Sequence, residues 1–295
     1  MCIRDRSCGL SWGVALAVLA GAAHARVVEE QIHVPVQVKN PWGKQIAQDI
    51  RVTVWSDDTN PRPAPIALIN HGRAPDAQGR ASLGRARYTD ASRYLLRRGF
   101  VVAVPTRVGY GVSGGEDVED TGACNNRNYA PGFDAAAVQI LAALNAVRQR
   151  PDVAPDRVLL VGQSFGGAST VALAAMNPPG VVAAVNFAGG SGGDPKGRPQ
   201  NPCSQPALER TFQAYGAQAK VPMLWIYTEN DMYFGPQLPR QWHAAFTKAG
   251  GKASFVQFPP HGEDGHSLFT RFPQVWQPAV SEFLDANGFP AAVAR

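Results

Sequence analysis

Residues 157–167 read RVLLVGQSFGG and carry the strongest indication of the fold. The apolar run Val158 to Val161 is typical of a buried strand, and the Ala-rich segment after the glycines is typical of a helix. The turn between them has the pattern Gly-x-Ser-x-Gly, centred on Ser164. Glycine is favoured two positions either side of that serine, because larger side chains would collide with the adjacent strand and helix. The pattern predicts a strand, a tight turn that presents the Ser164 hydroxyl, and a helix.

This unit resembles the nucleophile elbow of the α/β-hydrolases. The resemblance implies that Ser164 is a nucleophile held above the edge of a sheet. The following helix points free amides at the reaction site, so the Phe165 amide is expected to stabilise an oxyanion. A dinucleotide-binding turn is set aside, because the glycines at 162, 166 and 167 lack the spacing G-x-G-x-x-G. A chance Gly-x-Ser-x-Gly in a loop is the other alternative, and the strand and helix on either side argue against it.

Eight apolar runs bounded by turn residues predict eight strands. They are Ile32 to Val38, Ile50 to Trp55, Ile66 to Asn70, Phe100 to Pro105, Val158 to Val161, Val181 to Phe187, Met223 to Tyr227 and Ser254 to Phe258. The first two runs alternate between apolar and polar residues, as a half-exposed antiparallel edge does, whereas the later runs are continuously apolar. We therefore expect a sheet that becomes parallel after the first hairpin.

Helical segments alternate with these strands, which predicts an α/β fold with helices on both faces of one mostly parallel, eight-stranded sheet. The segments are Thr89 to Arg98, Asp134 to Arg150, Phe165 to Met176, Leu208 to Ala219, Pro239 to Ala249 and Pro273 to Ala286. Two long loops, residues 106–131 and 188–206, each follow a strand directly. Loops at the carboxyl ends of strands bind ligands in such sheets, so we expect the substrate there.

Residues 227–231 read YTEND and resemble the acid turn of the α/β-hydrolases, in which an aspartate follows the seventh strand. The resemblance implies that Asp231 is the acid of a catalytic triad, with Glu229 as the alternative. Such a carboxylate fixes the tautomer of a histidine and stabilises its charge once it has taken the serine proton. Two histidines follow the eighth strand, and His266, which is preceded by glycine, resembles the catalytic histidine more closely than His261 does.

Residues 66–73 read IALINHGR and place His-Gly directly after the third strand. The family takes a second oxyanion amide at this point, so the resemblance assigns that amide to Arg73. His71 precedes the nucleophile, whereas the family order is nucleophile, acid, histidine, so a structural role is favoured for His71. Residues 106–115 read TRVGYGVSGG and resemble the glycine-rich segment that borders the acyl pocket. Tyr110, in that segment, either lines the site or serves only as a turn residue.

The resemblance covers most of residues 45–290 and is closest to the dienelactone hydrolase-like branch of the α/β-hydrolases. Ser164 stands where the namesake of that branch carries cysteine, a departure that argues against dienelactone chemistry itself. The resemblance implies a carboxylic ester hydrolase that acts on a small-molecule ester and needs neither a metal nor an organic cofactor. A serine peptidase or amidase on the same core is one alternative, and a noncatalytic binding protein on a hydrolase scaffold is another.

The N-terminus has the pattern of a secretory signal peptide. Arg4 and Arg6 precede an apolar run, Leu10 to Ala23, that ends in Ala-His-Ala. The run is short for a membrane span, so we expect cleavage after Ala25 and no membrane anchor, with a buried N-terminal helix as the alternative. Residues 26–295 are then a single exported domain, periplasmic or secreted.

Two of the four cysteines, Cys2 and Cys8, lie within the expected signal peptide. The remaining pair, Cys124 and Cys203, lies in the two long loops, and an oxidising compartment favours a disulfide between them. Two unpaired thiols are the alternative. The formal net charge of the chain is +5, but its basic residues are scattered, so no nucleic-acid partner is expected. The sequence leaves the oligomeric state open.

Overall fold

The computed structural model describes residues 27–291, so the expected signal peptide lies outside the described residues. One eight-stranded sheet runs through this part of the chain. Its strands are β1 (Val27–Lys39), β2 (Gln45–Asp57), β3 (Ala64–Asn70), β4 (Val101–Thr106), β5 (Val153–Gln163), β6 (Val181–Phe187), β7 (Met223–Thr228) and β8 (Ala253–Phe258). All eight predicted strands are therefore present.

The α-helices of the described residues pack on this sheet and lie between its strands. They are α1 (Ala77–Ala81), α2 (Thr89–Arg97), α3 (Tyr129–Val147), α4 (Phe165–Ala175), α5 (Gln205–Gln218), α6 (Leu238–Lys248), α7 (Leu268–Arg271) and α8 (Pro273–Ala286). The six predicted helices are confirmed, whereas α1 and α7 were not predicted. These two helices have five and four residues, which is too short for a helical periodicity to show in the sequence.

The strands lie in the order β1-β2-β4-β3-β5-β6-β7-β8. β2 pairs antiparallel with both β1 and β4, and the pairs from β4 through β3 to β8 are all parallel. The expected change from antiparallel to parallel pairing is thus confirmed. Because the parallel strands share one direction, the loops after β3, β5, β7 and β8 all leave the same edge of the sheet.

Two hydrophobic layers cover the two faces of the sheet. Residues of α3, α4, α5 and α6 form one layer, and residues of α2, α7 and α8 form the other. Successive residues of β3 alternate between the layers, with Leu68 in the first and Ile69 in the second. A strand covered on both faces must be apolar at every position, which explains the continuous apolar runs.

Two helices begin earlier than predicted. α3 begins at Tyr129 rather than Asp134, with Pro131 in its first turn, and α5 begins at Gln205, with Pro206 as its second residue. Proline is tolerated in a first turn because amides there have no acceptor within the helix. α3 is also long and apolar enough to cross a membrane by length and composition. Its residues Phe133, Ile140 and Leu144 are fully buried in the core of this fold.

Candidate active site

Ser164 lies in the turn between β5 and α4, in a backbone conformation that non-glycine residues rarely adopt. Its φ and ψ are 57° and −126°. The flanking glycines are sterically required: a Cβ at Gly162 would collide with the carbonyl oxygen of Gly166, and a Cβ at Gly166 would collide with that of Asn70. Strain of this kind persists only where the surrounding structure enforces it. The turn predicted from Gly-x-Ser-x-Gly is therefore formed.

The main chain of Ser164 is held from both sides, whereas its hydroxyl is free. The Ser164 amide donates to the Phe187 carbonyl at 2.9 Å, and the Ser164 carbonyl accepts from the Gly190 amide at 3.2 Å. Within residues 27–291 the hydroxyl makes no hydrogen bond. The side chain lines two cavities that meet at this residue. A fixed backbone with an unengaged hydroxyl facing open space suits a nucleophile.

His266 and Asp231, which come from the loops after β8 and β7, form a buried pair. His266 Nδ1 lies 3.0 Å from Asp231 Oδ2, and the Asp231 side chain is fully buried. The other oxygen, Asp231 Oδ1, accepts the amides of Tyr233 and Phe234 at 2.8 and 3.0 Å. Because both oxygens are engaged, the carboxylate has one orientation and fixes the ring through Nδ1. The Nε2 atom of His266 is then left for another partner.

Two aromatic rings pack against the His266 imidazole and fix its orientation. The Tyr233 ring stacks on it with a centroid distance of 4.0 Å, and the Phe234 ring meets it edge-on at 5.3 Å. Burial alone would lower the pKa of His266, but the negative charge and hydrogen bond of Asp231, with the charge of Asp264 added, outweigh burial and raise that pKa. The imidazolium form is therefore stabilised in place.

Asp264, Glu229 and His261, all within the described residues, do not bond the His266 ring as Asp231 does. Asp264 Oδ1 accepts the backbone amides of His266 and Met232, at 2.9 and 3.0 Å, so it braces the loop rather than the ring. Glu229 is exposed. His261 is turned toward its own loop, where its Nδ1 lies 2.7 Å from the Pro259 carbonyl. The structure brings Asp231, not these groups, to the His266 ring.

His71 is a buried structural residue. Its Nδ1 bonds the Gly72 carbonyl at 2.7 Å, and its Nε2 accepts the Arg107 amide at 3.2 Å. Both ring nitrogens are thus used by backbone groups. Burial, with the positive charge of Arg107 as a second cause, lowers the pKa of His71 well below its usual value. A neutral ring with no free nitrogen agrees with the structural role favoured from the sequence.

The two expected oxyanion amides lie on either side of Ser164. Phe165 is the first residue of α4, where an amide has no acceptor in its own helix. On the other side, an added Cβ at Gly72 would lie 3.2 Å from Ser164 Cβ, so the chain after β3 passes directly against Ser164. Arg73 follows and lines both cavities with Ser164. Its side chain is fixed elsewhere, because it bonds Asp117 at 2.8 Å.

Tyr110 lies in the wall of the second cavity, next to a charged cluster that the sequence did not predict. Its side chain is 1% exposed, and its hydroxyl donates to Glu119 at 2.6 Å. Glu119 also pairs with Arg107, and both are fully buried. Arg107 in turn donates to the His71 carbonyl at 2.8 Å. Tyr110 contributes to the lining of the second cavity, but its hydrogen bond to Glu119 mainly fixes the loop that follows β4.

A hydrogen-bonded chain that sequence reasoning also missed joins three parts of the site. Gln163 precedes Ser164, and its Nε2 donates to the His266 carbonyl at 3.1 Å. Its Oε1 accepts from the Tyr88 hydroxyl at 3.1 Å, and that hydroxyl accepts from the Gly72 amide at 3.3 Å. The serine turn, the histidine loop and the loop after β3 are thereby tied together. Only the position of Gln163 inside the Gly-x-Ser-x-Gly pattern pointed toward it.

The two cavities differ in character. The first has a volume of about 300 Å³, and its lining includes Arg80, Arg127, Asp120 and residues 190–193. The second, of about 240 Å³, is lined in part by Tyr88, Leu83, Tyr233 and His266. Among residues 27–291 no group of three or more His, Cys, Asp or Glu side chains could hold a metal ion. Ser164 therefore stands between a polar space and a more aromatic one.

A disulfide joins the two long loops beside the first cavity. Cys124 and Cys203, which are 79 positions apart, form the bond expected from the sequence. The Cys203 amide donates to the Gly192 carbonyl at 2.9 Å, and Gly192 lines the cavity. The Ser204 hydroxyl donates to the Cys124 carbonyl at 2.8 Å, which adds a second link. The cavity wall is thus held covalently.

Comparison with known proteins gives one family and many structural relatives. The dienelactone hydrolase family matches residues 75–281. No curated protein matches the chain. Among solved structures, a putative dienelactone hydrolase from Klebsiella pneumoniae is 18% identical, covers 88% of this chain and 98% of its own, and has a TM-score of 0.53.

Two further solved structures have similar folds. The esterase Pf2001 from Pyrococcus furiosus is 13% identical, with 86% of this chain and 91% of its own covered and a TM-score of 0.55. A prolyl endopeptidase is 16% identical, with 89% of this chain but 39% of its own covered and a TM-score of 0.61. At these identities the likeness shows a common fold, the α/β-hydrolase fold expected from the sequence.

Proposed function

Because the chain belongs to the dienelactone hydrolase family, we propose that it hydrolyses carboxylic esters, with Ser164 as nucleophile, His266 as base and Asp231 as acid. Family membership makes it a hydrolase, and the ester substrate and the triad are the proposal. One observation carries it: His266, which is paired with the buried Asp231, lines the same cavity as the strained, unengaged Ser164. That combination matches the roles that acyl transfer requires.

The reaction begins with neutral His266. Its Nδ1–H is donated to Asp231, so its Nε2 accepts the proton of the Ser164 hydroxyl while the serine oxygen attacks the ester carbonyl. The amides of Phe165 and Arg73 stabilise the negative oxygen of the tetrahedral intermediate. His266 then gives its proton to the departing alkoxide, and an alcohol leaves. The acyl group remains on Ser164.

A water molecule completes the cycle. His266 takes a proton from the water, whose oxygen attacks the acyl carbonyl, and the same amides hold the second oxyanion. The intermediate collapses, Ser164 regains a proton from His266, and a carboxylic acid leaves. In both halves Asp231 stabilises the imidazolium, in agreement with the direction of the His266 pKa.

A serine peptidase is the second candidate, and the structural similarity to a prolyl endopeptidase favours it. The same triad can attack an amide, whose leaving amine must be protonated by the histidine before it departs. A panel of p-nitrophenyl esters of increasing acyl length, with p-nitroanilides of the same acyl groups, separates the two functions. We expect turnover of the esters and far slower turnover of the anilides; the reverse order would favour the peptidase.

Two variants make this experiment specific. Ser164→Ala should lower ester turnover by about a millionfold, because a triad acts as one unit. Ser169→Ala is the matched control: its hydroxyl, on the same helix, donates to the Phe165 carbonyl and does not face either cavity. A folded Ser164→Ala protein that keeps most of its ester turnover would show that another residue is the nucleophile, whereas a wild-type protein that turns over none of the esters and anilides would favour the noncatalytic scaffold.

We also propose that the protein is exported. The disulfide between Cys124 and Cys203 is consistent with an oxidising compartment. Amino-terminal sequencing of the protein from the periplasm or medium should find Arg26 as the first residue. An intact N-terminus on protein recovered from the cytoplasm would contradict export.

A further inference from the structure

Trp42 is exposed at the turn between β1 and β2, yet its backbone is held firmly. Its side chain is 72% exposed, whereas the other four tryptophans of the described residues are at most 4% exposed. The Asn40 side chain accepts the amides of Trp42 and Lys44, at 3.1 and 2.9 Å, and Lys44 pairs with Glu116 at 2.8 Å. A large aromatic ring left in water on a rigid turn is a common feature of binding surfaces.

Two unengaged carboxamides lie near this ring. The side chains of Asn126 and Asn128 make no hydrogen bond within residues 27–291. Their segment is nevertheless fixed, because Cys124 carries the disulfide and the Arg127 amide donates to the Ser204 hydroxyl at 3.2 Å. Polar groups held in place without a partner bind a ligand at low entropic cost.

These residues line one groove, which we call the Trp42 groove. Its volume is about 150 Å³, and its lining includes Trp42, Asn126, Asn128, Pro131, Asp120 and Gly122. Asp120 and Gly122 also line the first cavity beside Ser164. The groove and the cavity therefore share a wall, and a ligand longer than either could occupy both.

We propose that the Trp42 groove binds a neutral carbohydrate unit of the ester substrate; this inference rests on the proposed ester hydrolysis. A sugar ring offers a face of C–H groups that packs on an indole, and hydroxyls that both donate and accept hydrogen bonds. Carboxamides meet those hydroxyls in both roles, and the Asp120 carboxylate accepts from them. A plain acyl chain would leave the two carboxamides without a partner in the ligand, and the Asp120 carboxylate, one oxygen of which accepts the Gly122 amide at 2.8 Å, disfavours an anionic ligand. The substrate class is thus an ester of a carbohydrate.

Binding is tested without turnover in the full-length Ser164→Ala protein. The probes are four unesterified tetrasaccharides: xylotetraose, cellotetraose, mannotetraose and maltotetraose. At least one should protect tryptophan fluorescence from acrylamide quenching, and adding Trp42→Ala should abolish that protection. Met176→Ala is the matched control, because Met176 is also exposed but lies at the opposite end of α4 from Ser164. Protection by none of the four sugars would overturn the inference, and so would protection that survives Trp42→Ala.

Kinetics of the active protein give the second readout. The acetylated form of the sugar that binds is compared with p-nitrophenyl acetate. Trp42→Ala should lower the ratio of the two kcat/KM values by about three- to tenfold, mainly through KM for the sugar ester. An unchanged ratio would overturn the inference. If neither ester is hydrolysed while a sugar still protects Trp42, ester hydrolysis is wrong and the groove remains a carbohydrate site.

Discussion

The two oxygens of Asp231 have separate tasks. Oδ1 accepts two backbone amides from its own turn, and Oδ2 accepts the Nδ1–H of His266. The first set of bonds fixes the carboxylate, and the second fixes the ring. Asp264, two positions before His266, instead accepts backbone amides that hold the loop. The two aspartates are close in space, but replacing them should lower kcat by different amounts.

Asp231→Asn should therefore lower kcat far more than Asp264→Asn does. An asparagine at 231 no longer accepts with the same strength and favours the wrong histidine tautomer, at a cost of up to about ten-thousandfold. An asparagine at 264 keeps an oxygen for the two amides, so a much smaller loss is expected. Steady-state kinetics of both variants, with circular dichroism to check folding, decide the matter. Greater damage from Asp264→Asn would transfer the role of the acid to Asp264.

In the proposed mechanism, the pKa of His266 sets the acid limb of the pH–activity profile. Only the neutral ring accepts the serine proton, and Asp231 raises its pKa above the ordinary value of 6.5. A raised pKa keeps the ring protonated to higher pH, so kcat/KM should fall as pH drops through a value above 6.5. Asp231→Asn removes the charge that opposes burial and should move this limb to lower pH. A limb that stays fixed in the variant would contradict the assignment.

At the scale of the elements, the sequence predicted most of what the structure contains. Continuous apolar runs identified the buried strands, and the turn glycines identified the strained turn at Ser164, because both follow from local sterics and burial. What the sequence could not predict depends on contacts between distant segments. The pair of Arg107 and Glu119, and the link from Gln163 to His266, join loops whose paths no periodicity encodes. The early start of α3 was missed because Pro131 was interpreted as a loop residue.

The bond from Gln163 to the His266 carbonyl ties the end of β5 to the histidine loop, so we expect Gln163 to be a positioning residue. Gln163→Met should lower kcat by about three- to tenfold, the loss expected for one hydrogen bond, with a smaller change in KM. Gln163→Glu should also lower kcat, because a carboxylate cannot donate to that carbonyl. Tyr88→Phe keeps this bond and should have a weaker effect.

Gln257→Met is the control for this prediction. The Gln257 amide also donates to a backbone carbonyl, that of Pro236 at 2.9 Å, but Gln257 lines neither cavity at Ser164. Steady-state kinetics at saturating substrate measure the effect on kcat. An equal loss of kcat in the control, or an effect on KM alone, would show that Gln163 does not position the histidine.

At the scale of the whole molecule, the disulfide lies outside the core and over the carboxyl edge of the sheet. The chain-entropy model gives up to about 4.5 kcal/mol for a loop closed across 79 positions. Reduction should lower activity before it unfolds the sheet, because the cavity loops lie above a core that does not depend on them. Activity and far-UV circular dichroism, followed together against reductant, measure this. The double variant Cys124→Ser/Cys203→Ser should not respond to reductant, and simultaneous loss of both signals in the native protein would contradict the prediction.

If the fold brings Ser164, His266 and Asp231 together for acyl transfer, ester hydrolysis must pass through an acyl-enzyme on Ser164. The protein is mixed with p-nitrophenyl acetate, quenched in acid within the first turnovers, digested and analysed by mass spectrometry. We predict a mass increase of one acetyl group on the peptide that contains Ser164. Turnover of the ester with no acetyl group on Ser164 at any quench time, or with the acetyl group on another residue, would contradict the claim.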